Sequence, residues 1–185
     1  TGFHQLSGQI ASIDRETVAG LEVASEKINA LANQIALVNK QLFRVSSLYR
    51  QPPELLYQRD MLLRDLSKLV RINTEFSVNG QVKISLNDSM DSNTGAVIVE
   101  ADQVQRLNVS VDPETQRVQM GLNMNSARAR VVVGISGGEI GGFLAVRDQV
   151  VQPTRDQLDG LAQRWMTEVN AIHRAGVDAH GEAGG

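Results

Sequence analysis

Apolar residues recur at alternating intervals of three and four along the first 45 residues, and this spacing constrains the fold more than any other feature. It is typical of a long helix whose apolar seam packs against other helices. A stutter at Thr17, close to Gly20, predicts that the helix is bent or locally relaxed there. Polar residues beside the stripe, including Asn29, are expected to face water. The stripe consists of Phe3, Leu6, Ile10, Ile13, Leu21, Ala24, Ile28, Leu31, Ile35, Val38, Leu42 and Val45.

Two further segments have the spacing of helices, so we predict three helices over 3–50, 54–70 and 139–175. Pro53 suits the first turn of the second helix, whereas Pro153 lies inside the third and predicts a kink. Gly176 is expected to end that helix in the left-handed conformation. Because narrow stripes need mutual cover, we expect one bundle and a largely monomeric chain. The predicted core includes Leu31, Leu62, Leu66, Leu161 and Trp165.

Between these helices the apolar period changes to two, which indicates β-strands over about 72–135. Asn79-Gly80 separates two alternating runs and predicts a tight hairpin, and 104–111 reads as one later strand. The fold class is therefore predicted to be α+β. Residues 1–71 and 136–185 form a discontinuous long-helix bundle, coiled-coil-like, and residues 72–135 form an inserted antiparallel β-rich domain.

Composition excludes several classes of function. The formal net charge is −3 and the basic residues are scattered, so we expect no nucleic acid partner. No apolar run approaches the roughly 20 residues needed to cross a bilayer, and no membrane partner is expected. The chain has no cysteine, which rules out disulfides and thiolate metal sites.

The segment Gly134-Ile135-Ser136-Gly137-Gly138 matches the nucleophile motif of α/β-hydrolases, with Asp156 and His173 following in the expected order. That motif needs a parallel sheet with crossover helices, whereas these strands follow one another through hairpin turns. We interpret the glycines, together with Gly141 and Gly142, as backbone joints between the strands and the last helix. The chain is therefore not expected to be an enzyme, and no catalytic residue is assigned.

No metal or cofactor site is predicted. His4, His173 and His180 share no ligand spacing. The acidic segment 88–93 lacks the alternating ligands and the bidentate Glu of a calcium loop, which leaves a solvated turn. Trp165 lies on the apolar stripe of the last helix, where the side chain is expected to anchor the core.

Three ordered segments resemble the FlgK family of flagellar hook-associated proteins. They are Leu55-Leu56-Tyr57-Gln58-Arg59-Asp60 with Leu62 and Leu66-Ser67; Gly137-Gly138-Glu139-Ile140-Gly141-Gly142-Phe143-Leu144 with Arg147-Asp148; and Asn170-Ala171-Ile172-His173-Arg174-Ala175-Gly176 with Asp178 and Gly181. The resemblance covers nearly the whole chain. It implies a larger structural protein, whose terminal helices lie before Thr1 and after Gly185 and carry axial polymerisation.

The same resemblance implies a subunit that is secreted through the flagellar type III export apparatus and joins hook to filament outside the cell. The implied partners are other subunits of the same protein, the hook protein and the second junction protein, with an export chaperone bound through the absent C-terminal region. Alternatives are another axial protein, such as flagellin or the second junction protein, and a coiled-coil adhesin or adaptor module. The interface residues stay unknown at this point.

Overall fold

The computed structural model describes residues 2–46 and 51–176. Within them lie the helices α1 (Gly2–Arg44), α2 (Pro53–Leu69), α3 (Gly138–Val146) and α4 (Gln152–Ala175), with a π-helical turn at Arg147–Val151. The strands are β1 (Asn73–Phe76), β2 (Val82–Ser85), β3 (Val97–Glu100), β4 (Gln103–Val104), β5 (Leu107–Val111), β6 (Val118–Leu122) and β7 (Arg130–Val132). The predicted α+β class is confirmed. The first helix, predicted over 3–50, ends earlier than expected, at Arg44, and residues 45–46 form a turn. Residues 47–50 lie outside the described residues.

The chain divides into two compact units. The terminal unit comprises Thr1–Asp14 and Arg147–Gly185, and the central unit comprises Arg15–Val146. The domain division inferred from the sequence, with a helical part over 1–71 and 136–185 and a β-rich part over 72–135, stays a prediction.

The strands of the central unit form two antiparallel sheets. One has the order β1-β2-β3-β4 and the other the order β5-β6-β7. The Asn79-Gly80 hairpin is confirmed, since β1 and β2 pair from Asn73 opposite Ser85 to Phe76 opposite Val82. Gly80 has a φ of +85°, a conformation that glycine adopts without the steric penalty of a side chain.

The run 104–111, predicted as one strand, is instead divided between the two sheets. β4 ends at Val104 in the first sheet, and β5 begins at Leu107 in the second. Asn123 stabilises the crossing: its side-chain Oδ1 accepts from the Arg106 N–H at 3.0 Å, and its own N–H donates to the Arg106 carbonyl at 2.8 Å. Periodicity alone missed the division because both halves keep the alternation of a strand.

The core of the central unit combines side chains from α1, α2, both sheets and the start of α3. The predicted burial of Leu62 and Leu66 is confirmed, and Leu31 packs against the core while partly exposed. The α1 stripe is buried at Leu21, Ala24, Ile28, Ile35, Val38 and Leu42. Heptad spacing therefore identified the face of α1 that the sheets and α2 cover.

Two asparagines on this face of α1 bond to strand backbones. Asn29 Nδ2 donates to the Leu107 carbonyl and Asn29 Oδ1 accepts from the Leu107 N–H, both at 2.8 Å. Asn39 makes the same pair with Val82, at 2.8 and 2.9 Å, and also donates to the Ala101 carbonyl at 2.7 Å. The prediction that Asn29 faces water is wrong, because its amide satisfies the backbone groups that open β5.

The prediction that Leu161 and Trp165 belong to the core is also wrong. Their exposed fractions are 59% and 71%, and Met166 and Ile172 on the same helix are similarly exposed. The stripe on α4 has the spacing of a core face, but Leu161, Trp165 and Ile172 on it stay largely exposed among residues 2–46 and 51–176. The expectation of a monomer assumed that every stripe was covered, and that assumption does not hold for the described part of α4.

The interruption of the last helical segment differs from the predicted kink at Pro153. A π-helical turn occupies Arg147–Val151, and Pro153 lies in the first turn of α4, where its missing N–H is tolerated. The hydroxyl of Thr154 donates to the Val150 carbonyl at 2.6 Å. Gly176 follows α4 as predicted, but with a φ of −69°, so it is extended and not left-handed.

Replacing Asn39 by Ala should lower the free energy of unfolding by about 3–5 kcal/mol. The change leaves the N–H and carbonyl of the buried Val82 without the amide, and each of these lost partners costs about 1–3 kcal/mol without strict additivity. It also removes the bond to the carbonyl of Ala101, a residue that is itself exposed. Asn33→Ala is the matched control, since Asn33 is exposed and bonds to the Asn29 carbonyl of its own helix. Urea unfolding of both variants measures the difference, and equal losses would contradict the assigned role of Asn39.

Candidate functional site

The serine motif lies at the joint between β7 and α3. Ser136 is exposed, and its carbonyl accepts from the Arg71 N–H at 2.8 Å. Gly137 and Gly138 have φ values of +73° and +58°. A Cβ added to Gly138 would lie 2.5 Å from the Val70 nitrogen, and one added to Gly137 would lie 2.8 Å from the Arg71 Cβ. These glycines let the chain cross closely over the end of α2, as the structural interpretation predicted.

Asp156 and His173 cannot act as two members of one triad. Both lie on α4, and seventeen residues at 1.5 Å per residue separate them by about 26 Å along the axis. A catalytic His and its orienting carboxylate must be within hydrogen-bond reach. Asp156 instead accepts from Gln152 Nε2 at 3.0 Å, one turn away on the same helix. The motif therefore lacks the geometry of a hydrolase.

The histidines and the acidic loop do not form a metal site in the described part of the chain. Residues 2–46 and 51–176 contain no group of three or more His, Asp or Glu placed to hold a metal ion. His4 and His173 are exposed, and His180 lies outside the described residues. Asp91 accepts from the N–H groups of Asn93 and Thr94, and these bonds lower the pKa of its carboxyl. That arrangement is a carboxylate-capped turn.

A partly buried ionic cluster, not assigned a role in the sequence analysis, lies within the terminal unit. The carboxylate of Asp14 on α1 forms ion pairs with Arg147, which opens the π-helical turn, and with Arg155 of α4, at 2.6 Å to Nη2. Burial lowers the pKa of Arg147, and the positive charge of Arg155 lowers it further. One carboxylate thus holds two guanidinium groups, so removing Asp14 would leave buried charge uncompensated.

The central unit has an open apolar groove of about 740 Å³ between α1 and α3. Val23 forms one side, Phe143 and Val146 form the other, and Gly142 opens its backbone to the groove. The ring of Phe143 lies over Gly20, where an added Cβ would be 2.5 Å from Cε1. Gly20, which lies close to the predicted stutter of α1, therefore provides the space that seats this ring.

Sequence reasoning missed the groove because its two sides are far apart in the chain. Glycine spacing on either helix is compatible with many structures, and only the packing of α3 on α1 brings Gly20 and Phe143 together.

Among the helices of the described residues, none has the length and apolarity needed to cross a bilayer.

Replacing Gly138 by Ala should lower the free energy of unfolding, whereas replacing Gly142 by Ala should raise it. Gly138→Ala forces a left-handed backbone on a residue with a Cβ and crowds Val70, which should cost about 2–5 kcal/mol of stability. A Cβ at Gly142 meets no atom within 4 Å, so Gly142→Ala inside α3 should stabilise by up to about 1 kcal/mol. Thermal or urea unfolding measures both, and a neutral Gly138→Ala would contradict the joint described above.

Ser136 should show no nucleophilic reactivity, because Asp156 and His173, the carboxylate and base that its motif would use, lie about 26 Å apart along α4. Incubation with an activated ester and with a serine-directed fluorophosphonate should give the same signal for the parent chain and for Ser136→Ala. Labelling that disappears specifically in Ser136→Ala would restore the hydrolase interpretation.

Comparison with known proteins gives consistent matches. A family model described as the flagellar hook-associated protein FlgK helical domain matches residues 1–185. Flagellar hook-associated protein 1 of Escherichia coli K12 is 27% identical over 176 residues, which cover 92% of this chain and 31% of that protein. The Bacillus subtilis protein of the same name is 25% identical over 202 residues, covering 99% of this chain and 40% of that protein.

Among solved structures, the flagellar hook junction protein FlgK from Burkholderia pseudomallei has a TM-score of 0.71 and 26% identity, over 99% of this chain and 33% of that one. The chain thus spans between 31% and 40% of the length of these relatives. Because the family model matches every residue of the sequence, the chain belongs to the family of flagellar hook-associated protein FlgK helical domains.

Proposed function

We propose that this chain is part of a structural subunit of the bacterial flagellum that connects the hook to the filament as a mechanical adaptor. The observation that carries the proposal is the match of the FlgK helical-domain model to residues 1–185, supported by relatives named flagellar hook-associated protein 1. The fold adds support, since its likeness to the Burkholderia junction protein extends over 99% of the chain.

The packing of the central unit suits a load-bearing part. The long helix α1 shares one core with α2 and both sheets, and the Asn29 and Asn39 amides bond it to β5 and β2. Hydrogen bonds and close packing of this kind resist sliding of one element along another. The serine motif is used as a backbone joint, so the structural role requires no chemistry from it.

The proposed partners are other subunits of the same protein, the hook protein and the second junction protein. The proposed location is the hook-filament junction outside the cell, reached through the flagellar export apparatus, with an export chaperone recognising the C-terminal region of the longer protein. A cysteine-free chain is compatible with export in an unfolded state, because no wrong disulfide can form on the way.

An in-frame deletion of the codons for residues 1–185 in the source bacterium should give cells with complete hooks and no attached filaments. Flagellin should then accumulate in the medium, because export continues while the junction is missing. The measurements are electron microscopy of the cell surface and immunoblotting of the culture supernatant. Filaments of normal number and length on the deletion strain would contradict the proposal.

Two point variants refine that experiment. Leu66→Asp places a carboxylate at a fully buried position, which costs several kcal/mol, and should reproduce the deletion phenotype. Ser136→Ala leaves the backbone joint intact and should swim normally. Loss of filaments in Ser136→Ala at an unchanged protein level would indicate a chemical role in place of the mechanical one.

A further inference from the structure

The π-helical turn at Arg147–Val151 adds one residue to the helical backbone that leads into α4. α4 continues this turn without a break, since Val151 has helical dihedral angles, with φ at −67° and ψ at −54°. A π-helical turn closes its hydrogen bonds over five residues, where an α-helix closes them over four. Every residue of α4 is therefore shifted by one position, or about 100° around the axis, from its place in a regular α-helix.

The extra residue changes how Arg147 and Arg155 are placed relative to each other. Eight residues of regular α-helix would turn Arg155 about 80° away from Arg147, but with one residue taken up by the π-helical turn the angle falls to about 20°. Both guanidinium groups form ion pairs with the carboxylate of Asp14. The side chains of Asp14 and Arg147 are only 15% and 5% exposed, and exclusion of water strengthens the attraction between such charges.

The same register determines which face of α4 is least exposed. Arg155 shares that face with four partly or fully buried apolar residues, Val151, Leu158, Ala162 and Val169. Leu161 lies about 60° around the helix from Leu158 and is 59% exposed. In a regular α-helix the whole of α4 would be rotated by about 100°, so that Leu161 would enter the less exposed face and Leu158 would leave it. The uncharged Thr154 would take the place of Arg155.

We infer that the Asp14 carboxylate sets the register of α4 by holding the π-helical turn in place. A regular helix over 147–155 would turn Arg155 away from Asp14 and break one of the two ion pairs. Without the carboxylate the α-helical turn is favoured, because π-helical turns are intrinsically rare. Asp14 is thus a positioning residue that determines which apolar side chains α4 presents. The inference does not rest on the proposed flagellar function, and its failure would leave that proposal standing.

Pro153 is the competing explanation of the π-helical turn. A proline inside a helix lacks an N–H and crowds the carbonyl four residues before it. That effect acts on the backbone alone and is independent of any charge. Replacing Pro153 by Ala removes it and leaves the ion pairs of Asp14 in place. The two explanations therefore separate in a chain that carries Pro153→Ala, and every variant described below is made in that chain.

Thiol reactivity reports the register of α4, because the sequence contains no cysteine. Leu158→Cys and Leu161→Cys are introduced one at a time, and the rate of reaction with a maleimide is measured for each. With Asp14 present, the thiol at position 161 should react at least about threefold faster than the thiol at position 158, since reactivity follows exposure. Asp14→Asn should reverse that order, because the rotation of α4 exchanges the exposure of the two positions.

Two further variants serve as controls. Asp159→Asn removes an exposed carboxylate of α4 that takes no part in the ion pairs of Arg147 and Arg155, so the order of the rates should stay as in the parent. Deletion of Gln149 removes the extra residue itself and leaves the two arginines seven positions apart, about 20° from each other in a regular α-helix. In that chain position 161 should react faster whether or not Asp14→Asn is present.

A reversal caused by Asp14→Asn that disappears when Gln149 is deleted would support the inference. Three results would overturn it. If the order of the rates survives Asp14→Asn, the register does not depend on the carboxylate. If Pro153→Ala alone reverses the order, the proline sets the register. If Asp14→Asn raises both rates equally, the carboxylate is needed for the fold and not for the register.

Discussion

The bonds between the buried amides of α1 and the strand backbones hold the central unit together. A strand that begins at a helix presents an N–H and a carbonyl that no neighbouring strand satisfies, and burial makes those groups costly. Asn29 supplies both partners for Leu107, and Asn39 supplies both for Val82. A carboxamide has a donor and an acceptor side by side. It can therefore pair with a backbone as another strand would.

This attachment decides where the remaining elements can go. Because β2 and β5 are bonded to α1 at their first residues, both sheets direct their buried side chains into the core that α1 shares with α2. The chain then passes between sheets at Arg106, bonded to Asn123, and leaves β7 for α3 over Gly137 and Gly138. That crossing places α3 against α1, which seats Phe143 on Gly20 and forms the groove.

The sequence alone determined the features that depend on local periodicity and on local backbone chemistry. Heptad spacing identified α1 and its buried face, the change to a period of two located the strand region, and Asn79-Gly80 identified the first hairpin, because each signal arises from neighbours in the chain. The glycine joint at 137–138 was also interpreted correctly. Its backbone passes so closely over Val70 and Arg71 that only a residue without Cβ accepts that conformation.

Only the tertiary structure decided which polar side chains are buried and which apolar faces are covered. Asn29 has the spacing of a solvated residue and Trp165 that of a core residue, yet the first is buried and the second exposed. Periodicity states which side chains share a face, but not what stands opposite that face. Strand backbone stands opposite Asn29, whereas Trp165 is 71% exposed among the described residues, and such long-range neighbours cannot be read from local sequence.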